Sequence, residues 1–166
     1  MSGLNTDPAP DDLRQQNIAI ATRFYEALAE GDFDALAGLH GEDVVFNLVG
    51  STPVSGRWEG KAQCFGPLVA DAVVGKLVPE TIRFSRKWRI MCADHRRVVG
   101  IMYGGGMGRN GHEYLQTYCQ IMTIEAGLIS ELHEFFDTAL VELVLNDNPT
   151  ANGPSPVAQP FRFPEE

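Results

Sequence analysis

The second half of the chain carries the pattern that most limits its fold. Between residues 81 and 136, apolar, aromatic and β-branched residues form long segments that short turn-like sequences separate. This spacing predicts consecutive antiparallel strands joined by tight turns. The predicted strands cover 81–93, 97–104, 112–124 and 128–136.

The first half of the chain predicts helices. Apolar residues recur at helical spacing over 13–30, and Gly31 follows where a helix would end. Asp32 can cap a short second helix that reaches Leu39. The remaining predicted elements are a strand over 44–49, a helix over 61–74 with a kink expected at Pro67, and a last helix over 138–145.

Helices followed by an antiparallel meander indicate an α+β fold rather than the alternation that gives a parallel sheet. We expect a cone-shaped, curved antiparallel sheet wrapped over the N-terminal helices, with a pocket in its concavity. The composition of the two ends predicts a flexible N-terminal arm over 1–12, one domain over 13–146 and a Pro-rich tail over 147–166. Phe161 and Phe163 in this tail could dock on the body or on a second subunit.

Length, charge and cysteine usage argue against several classes of protein. A chain of 166 residues is too short for a two-domain enzyme. Its 13 basic and 22 acidic residues give a net charge of −9, which disfavours binding to nucleic acid or to an anionic membrane. Three cysteines are too few for a disulfide framework, and the N-terminus lacks the basic start and apolar run of a signal peptide. We therefore expect a cytoplasmic protein with reduced cysteines.

Gly106, Gly108 and Gly111 have the spacing GxGxxG, which is typical of dinucleotide-binding sites. Such a site needs a helix after the glycines, with its N-terminus facing the pyrophosphate. Here a strand-like sequence follows Gly111, so we interpret the glycines as residues of a turn between strands. No cofactor is predicted.

Titratable residues cluster where the last predicted strand meets the last helix. His133, Glu134 and Asp137 resemble the zinc motif HExxH, but on a strand only His133 and Asp137 share a face, and two ligands are too few for a metal. An imidazole and a carboxylate that point into an apolar concavity suit general acid–base catalysis, because burial raises the pKa of a carboxyl group. Asp137 and His133 are therefore the predicted catalytic residues. The alternatives are that Asp137 caps the last helix and that His133 is a hydrogen-bonded core residue.

Polar aromatic side chains predict a ligand pocket. Tyr103, His112 and Tyr118 on the central strands combine a ring with a hydrogen-bonding tip, as does Trp58 in the turn-rich segment before the third helix. Lys87 belongs to a run of basic residues and could bind an anionic group of the substrate if it faced the pocket. The alternatives are ordinary core packing for the aromatic residues and a solvated outer face for the basic run.

Four segments of the chain share the pattern of one known family. They are FYEALAEGDFDAL, HGEDVVFNLVG, the GRWEG turn and YCQIMTIEAGLISELHEFFDTALVE. They resemble the SnoaL-like group of the nuclear transport factor 2-like superfamily, which includes polyketide cyclases, ketosteroid isomerases and limonene epoxide hydrolases. The resemblance implies a cone-shaped α+β barrel, a homodimer and a ligand within the cone.

The resemblance also implies a role for one residue. In the polyketide cyclases and epoxide hydrolases, an aspartate at the end of the closing strand serves acid–base chemistry, and Asp137 is the matching position. Phe46 and Leu48 replace the polar pair that epoxide hydrolases carry on the first strand. We therefore do not expect epoxide hydrolysis.

These observations predict a cofactor-independent enzyme that moves protons on a hydrophobic, aromatic small molecule, as a lyase or as an isomerase or cyclase. Its predicted substrate-binding residues are Tyr103, Tyr118, Trp58, His112 and Lys87. Neither nucleic acid nor a membrane is an expected partner, whereas a homodimer is. The alternative from a different class is a non-catalytic dimer of the same fold that binds a small molecule or a protein.

Overall fold

Six strands form one curved, open sheet in the computed structural model, which describes residues 9–149 of the chain. The strands are β1 (His40–Leu48), β2 (Gly56–Glu59), β3 (Arg83–Ala93), β4 (Arg97–Met107), β5 (Glu113–Glu125) and β6 (Leu128–Phe135). Their order across the sheet is β2-β1-β6-β5-β4-β3, and β3 to β6 pair as the antiparallel meander that the sequence predicts. The predicted α+β fold is confirmed.

The first two strands differ from the sequence prediction. β1 begins four residues before the predicted start at 44, and it pairs with β6 in parallel, with Phe46 opposite Leu132. β2 lies within the turn-rich segment and pairs antiparallel with β1, at the edge of the sheet. The parallel pairing joins residues that are far apart in the sequence, so the local pattern around β1 does not reveal it.

Helix α1 (Pro10–Glu30) packs against the sheet through the apolar stripe that its sequence predicts. It begins at Pro10, three residues before the predicted start at 13. Proline is well suited to the first turn, because the N–H groups there have no partner within the helix. Tyr25 from this stripe stacks on Trp88 of β3, with ring centroids 5.1 Å apart. Gly100 on β4 makes room for this packing, since a Cβ there would clash with the Tyr25 hydroxyl.

The connection from α1 to the sheet follows the sequence closely. Gly31 ends α1 in the left-handed conformation, at φ 72°, which glycine adopts without strain. Asp32 then caps α2 (Phe33–Gly38), accepting a hydrogen bond from the Ala35 backbone N–H at 2.9 Å. These features confirm the predicted end of α1 and the predicted start of α2. After α2 the chain continues directly into β1.

The third helical segment is irregular around its proline. It starts as α3 (Lys61–Gln63), continues as a π-helix (Cys64–Val73) and ends in a 3₁₀ turn (Val74–Lys76). Pro67 lies inside the π-helical part, where its missing N–H interrupts the regular α-helical bonding. The expected kink therefore takes the form of a π-helix.

The last helix, α4 (Thr138–Leu145), has the predicted boundaries and packs its apolar residues against the core. Within the described part of the chain, no helix combines the length and apolar character needed to cross a lipid bilayer. The predicted tail residues Phe161 and Phe163 lie outside the described residues.

Candidate active site

A cavity lies between the concave face of the sheet and the helices that cover it. The π-helical segment, α1, α2 and α4 contribute one wall, and strands β1, β3, β4, β5 and β6 contribute the other. Its empty space, measured out to the open mouth, is about 730 Å³. Among the described residues, phenylalanines form most of the aromatic lining, and they are Phe24, Phe33, Phe46, Phe65, Phe84 and Phe136. The polar aromatic residues of the wall are His40, Tyr114 and Tyr118. The cavity is therefore suited to an apolar or aromatic molecule.

Within residues 9–149, one carboxyl group lines this apolar space. Glu134 on β6 lies opposite Gln120 on β5 in the antiparallel register, and both side chains line the cavity. The Gln120 Nε2 donates a hydrogen bond to Glu134 Oε2 at 2.6 Å. Gln120 is itself buried, with 1% of its surface exposed, so it holds the carboxyl group in one orientation.

The surroundings of Glu134 change its acidity. Burial raises the pKa of the carboxyl group from 4.5 to about 7, while the hydrogen bond from Gln120 acts in the opposite direction. A group with a pKa near 7 is present both as an acid and as a base at neutral pH. Glu134 therefore has the acidity and the position required of a general acid–base residue.

Two tyrosines provide hydroxyl groups on the same wall. Tyr118 and Tyr114 are both buried on the inner face of β5, and the Tyr118 hydroxyl donates to the Tyr114 hydroxyl at 3.2 Å. Burial raises the pKa of Tyr114 to about 12 and that of Tyr118 well above its usual value of 10. Both hydroxyl groups consequently keep their protons at neutral pH. Tyr118 is thus one predicted binding residue that the structure places in the cavity wall.

A histidine that the sequence analysis did not select also lines the cavity. His40 at the start of β1 is 1% exposed, and its Nδ1 lies 2.8 Å from the Leu36 carbonyl oxygen. A carbonyl can only accept, so Nδ1 carries the proton. Burial lowers the pKa of His40 to about 4, which leaves the imidazole neutral at pH 7 with a free electron pair on Nε2. A lone histidine in a glycine- and acid-rich stretch gives no sequence signal of this environment.

The strand face expected to point inward is the opposite of the one observed. Leu132, Glu134 and Phe136 line the cavity, whereas the His133 side chain is on the outer face, 42% exposed and 3.9 Å from Glu131. The apolar neighbours of Glu134, two positions away on each side, are the sequence signal that could have identified the inner face.

Asp137 lies outside the cavity, at the start of α4. Its Oδ1 accepts hydrogen bonds from the backbone N–H groups of Ala139 at 2.9 Å and of Leu140 at 3.3 Å. Gln116 fixes the backbone of the same residue, bonding to both its N–H and its carbonyl oxygen at 2.9 Å. The alternative that Asp137 caps the last helix is therefore confirmed, and the expectation that it shares an inward face with His133 is wrong.

The other predicted binding residues are also placed away from the cavity wall. Lys87 is exposed on the edge strand β3 and lies opposite the half-buried Tyr103 on β4. His112 is exposed in the turn before β5, and Trp58 on β2 packs against the core while its indole N–H donates to the Val54 carbonyl at 3.0 Å. The structure does not bring these side chains together with Tyr118.

The glycine-rich sequence joins two strands. Gly106 lies within β4, Gly111 adopts a positive φ of 83° in the following turn, and β5 starts two residues later. A strand thus follows the glycines, as the sequence analysis predicts. The arrangement required for a pyrophosphate at a helix N-terminus does not form at this turn.

Comparison with known families identifies the fold. The model of the SnoaL-like domain matches residues 21–132, which is more than half of the chain. The protein belongs to the SnoaL-like family. The resemblance found in the sequence is confirmed, and the matched region contains β1 to β5 and most of β6. No curated protein matches this SnoaL-like chain significantly.

Solved structures share the architecture at low sequence identity. Bal32a, from a soil-derived mobile gene cassette, is 20% identical, with a TM-score of 0.68 over 80% of this chain and 98% of its own. A candidate isomerase from Bacillus subtilis is 18% identical, with a TM-score of 0.65 over 82% of this chain and 97% of its own. A candidate polyketide cyclase from Xanthomonas campestris is 20% identical, with a TM-score of 0.59 over 80% and 96%. At such identities the similarity establishes the fold, which is the NTF2-like fold of further matching structures.

Proposed function

We propose that this SnoaL-like protein is a cofactor-independent enzyme of the isomerase or cyclase type, which transfers protons on a hydrophobic, aromatic small molecule in the cavity. The observation that carries the proposal is the Glu134–Gln120 pair, a carboxyl group held at 2.6 Å by a buried amide within an apolar wall. Glu134 takes the catalytic role that the sequence analysis assigned to Asp137 and His133.

The chemistry assigned to the site is abstraction of a proton from carbon and its return to another position. Glu134 as carboxylate accepts the proton, and as the acid it gives the proton back, which its pKa of about 7 allows without an outside base. Gln120 keeps the carboxyl group oriented during both steps. The Tyr114 hydroxyl, which accepts a hydrogen bond from Tyr118 and keeps its own proton, is the donor that we assign to the negative charge developing on the substrate oxygen.

The family and the structural neighbours support this class of reaction. One of the similar structures is a candidate isomerase, and another is a candidate polyketide cyclase. For the present chain they favour an acid–base role over other uses of the fold, and the carboxyl group in the cavity supplies the residue that such a role requires. A lyase outcome uses the same first step and remains within the proposal.

A proton-exchange experiment tests the proposal without knowledge of the natural substrate. The bicyclic aromatic ketone 2-tetralone, in D₂O, should lose its acidic C–H signals faster with the protein than with buffer, as followed by ¹H NMR. Glu134→Gln should reduce the protein-dependent rate by about 100-fold or more. Glu131→Gln is the matched control, because it changes a carboxylate on the same strand that lies outside the cavity wall.

A binding protein without catalysis is the second candidate, and one observation favours it. Asp137, the position that matches the acid–base aspartate of related enzymes, is engaged in capping α4. Saturable binding of 2-tetralone with no exchange above buffer would favour this candidate. A Glu134→Gln variant that exchanges as fast as the wild type would also contradict the catalytic assignment.

We further propose that the protein forms a homodimer through the outer face of its sheet. Phe135 on β6 is 44% exposed, and it lies opposite Cys119, with the half-exposed Ile121 two residues further along β5. An apolar surface of this kind is typical of an interface. Phe135→Glu should convert a dimer into a monomer in sedimentation experiments, and a wild type that sediments as a monomer would contradict the proposal.

A further inference from the structure

The polar groups at the far end of the cavity from Glu134 carry an inference about the ligand itself. His40 lies opposite Ile129 in the register between β1 and β6, whereas Leu48 of the same strand lies opposite Glu134. The five residue steps from Ile129 to Glu134 extend over about 16 Å of strand. His40 and Glu134 therefore mark two separated polar points in one apolar wall.

His40 is held in one protonation state and one orientation. Its Nδ1–H donates a hydrogen bond to the Leu36 carbonyl oxygen, and its Nε2 is buried without a hydrogen-bond partner among the described residues. Three phenylalanine rings of the cavity wall surround the imidazole, with centroids at 5.1 Å for Phe65, 5.4 Å for Phe46 and 5.9 Å for Phe24. The environment thus presents a single hydrogen-bond acceptor among aromatic rings.

A second acceptor lies near the other end. Because Gln120 uses its Nε2 to donate to Glu134, its Oε1 is left as a buried acceptor, and it has no partner among the described residues. Buried polar atoms are normally hydrogen-bonded, and leaving them unpaired destabilises a fold. Two such acceptors on one cavity wall are satisfied by a ligand that brings its own donors.

We propose that His40 Nε2 accepts a hydrogen bond from a hydroxyl or N–H group of the ligand, so that the cavity selects aromatic molecules that carry a donor distant from the reacting carbon. This inference rests on the proposed function in that it uses the same cavity. His40 is a specificity-determining residue in this account, and the proton transfer remains with Glu134. The surrounding phenylalanine rings bind the aromatic body, while the imidazole distinguishes a phenol from its methyl ether.

A pair of probes tests the inference directly. The ligands 2-naphthol and 2-methoxynaphthalene share an aromatic body, and only the first can donate a hydrogen bond. By NMR titration, the wild type should bind 2-naphthol about fivefold to tenfold more tightly. His40→Phe should reduce this preference to about twofold or less. Glu134→Gln should keep the preference, because the carboxyl group lies at the other end.

Two controls separate a specific role from a structural one. Phe65→Leu, which alters the wall beside His40 and leaves the acceptor in place, should weaken both probes by a similar factor. In the ¹⁵N-labelled wild type, 2-naphthol should shift the Nε2 resonance of His40 towards the hydrogen-bonded position, and 2-methoxynaphthalene should not. This spectrum tests the hydrogen bond to His40 Nε2 in the wild type, so the test does not depend on whether His40→Phe folds.

The outcomes distinguish the inference from the proposed function. Equal binding of the two probes by the wild type, an unchanged preference in folded His40→Phe, or an unmoved Nε2 resonance would overturn the inference and leave the role of Glu134 intact. Failure of both probes to bind would overturn the inference and count against the use of the cavity as a ligand site.

Discussion

The two faces of β6 carry similar chemical groups in different surroundings. Glu134 on the inner face lies in an apolar wall, and burial raises its pKa to about 7. Glu131 and His133 on the outer face lie within 3.9 Å of each other, and Glu131 also accepts a hydrogen bond from Asn47. The comparison shows that removal from water, more than residue type or proximity in the sequence, determines which group on this strand is suited to proton transfer.

The largest expected effect concerns how stability depends on pH. The pKa of Glu134 rises from 4.5 to about 7 on folding, so its contribution to stability is fully present below pH 4.5 and is lost as pH rises through 7. Glu134→Gln removes this pH-dependent loss of folding free energy, which is of the order of 3 kcal/mol. The free energy of unfolding of the variant, relative to wild type, should therefore increase between pH 4.5 and pH 8 in urea denaturation.

Two comparisons make this prediction specific. His40 acts in the opposite direction, since its pKa falls from 6.5 to about 4 and its contribution is lost as pH falls through that interval. Both proteins contain His40, so its effect cancels when the free energy of unfolding of the wild type is subtracted from that of Glu134→Gln. Glu131→Gln is the matched control on the outer face, and a change of equal size there would remove the distinction between the two faces.

A smaller effect is expected at the end of β6. Asp137→Ala removes the cap of α4 and should lower the free energy of unfolding by about 1 kcal/mol. Asp137→Asn should retain most of the stability, because asparagine also caps helices well. Chemical denaturation measures the free energy of unfolding of both variants. The rate of 2-tetralone exchange per folded molecule should be the same in both variants as in the wild type. A large loss of exchange in folded Asp137→Asn would return the catalytic role to Asp137.

The smallest effect is expected for His133. Its side chain is 42% exposed, and its nearest charged partner is the partly exposed Glu131 at 3.9 Å. His133→Gln should change the free energy of unfolding by less than about 0.5 kcal/mol and leave the exchange rate unchanged. A tenfold lower exchange rate in this variant would show that the outer face takes part in the reaction.

Local sequence patterns predict much of the fold. The end of α1 at Gly31, the cap at Asp32 and the limits of α4 each depend on neighbouring residues, and all three match the structure. The parallel pairing of β1 with β6 was not predicted, because it depends on contacts across most of the chain. The short β2 was missed because it lies in the segment 50–60, whose composition indicates turns.

The site was less predictable than the fold. The register shift in the pairing of β5 with β6, between Thr123 and Ile124, interrupts the simple alternation of faces along β6. Ile129 and Leu132 are consequently both buried although they are three residues apart. Alternation counted from Ile129 therefore assigns the wrong face to residues 131–136, whereas alternation counted from Leu132 gives the right one. His40 could not be selected either, because Phe24 and Phe65, two of the rings that surround it, come from helical segments distant from it in sequence.

The acidity of Glu134 is the property on which the account depends. In protein carrying ¹³C-labelled glutamate, the side-chain carboxyl resonance of Glu134 can be assigned by its absence from the Glu134→Gln spectrum and followed as pH is changed. The account predicts a midpoint near 7 for this resonance. A midpoint near 4.5 would show a solvated carboxylate and would contradict the assignment of Glu134 as the acid–base residue.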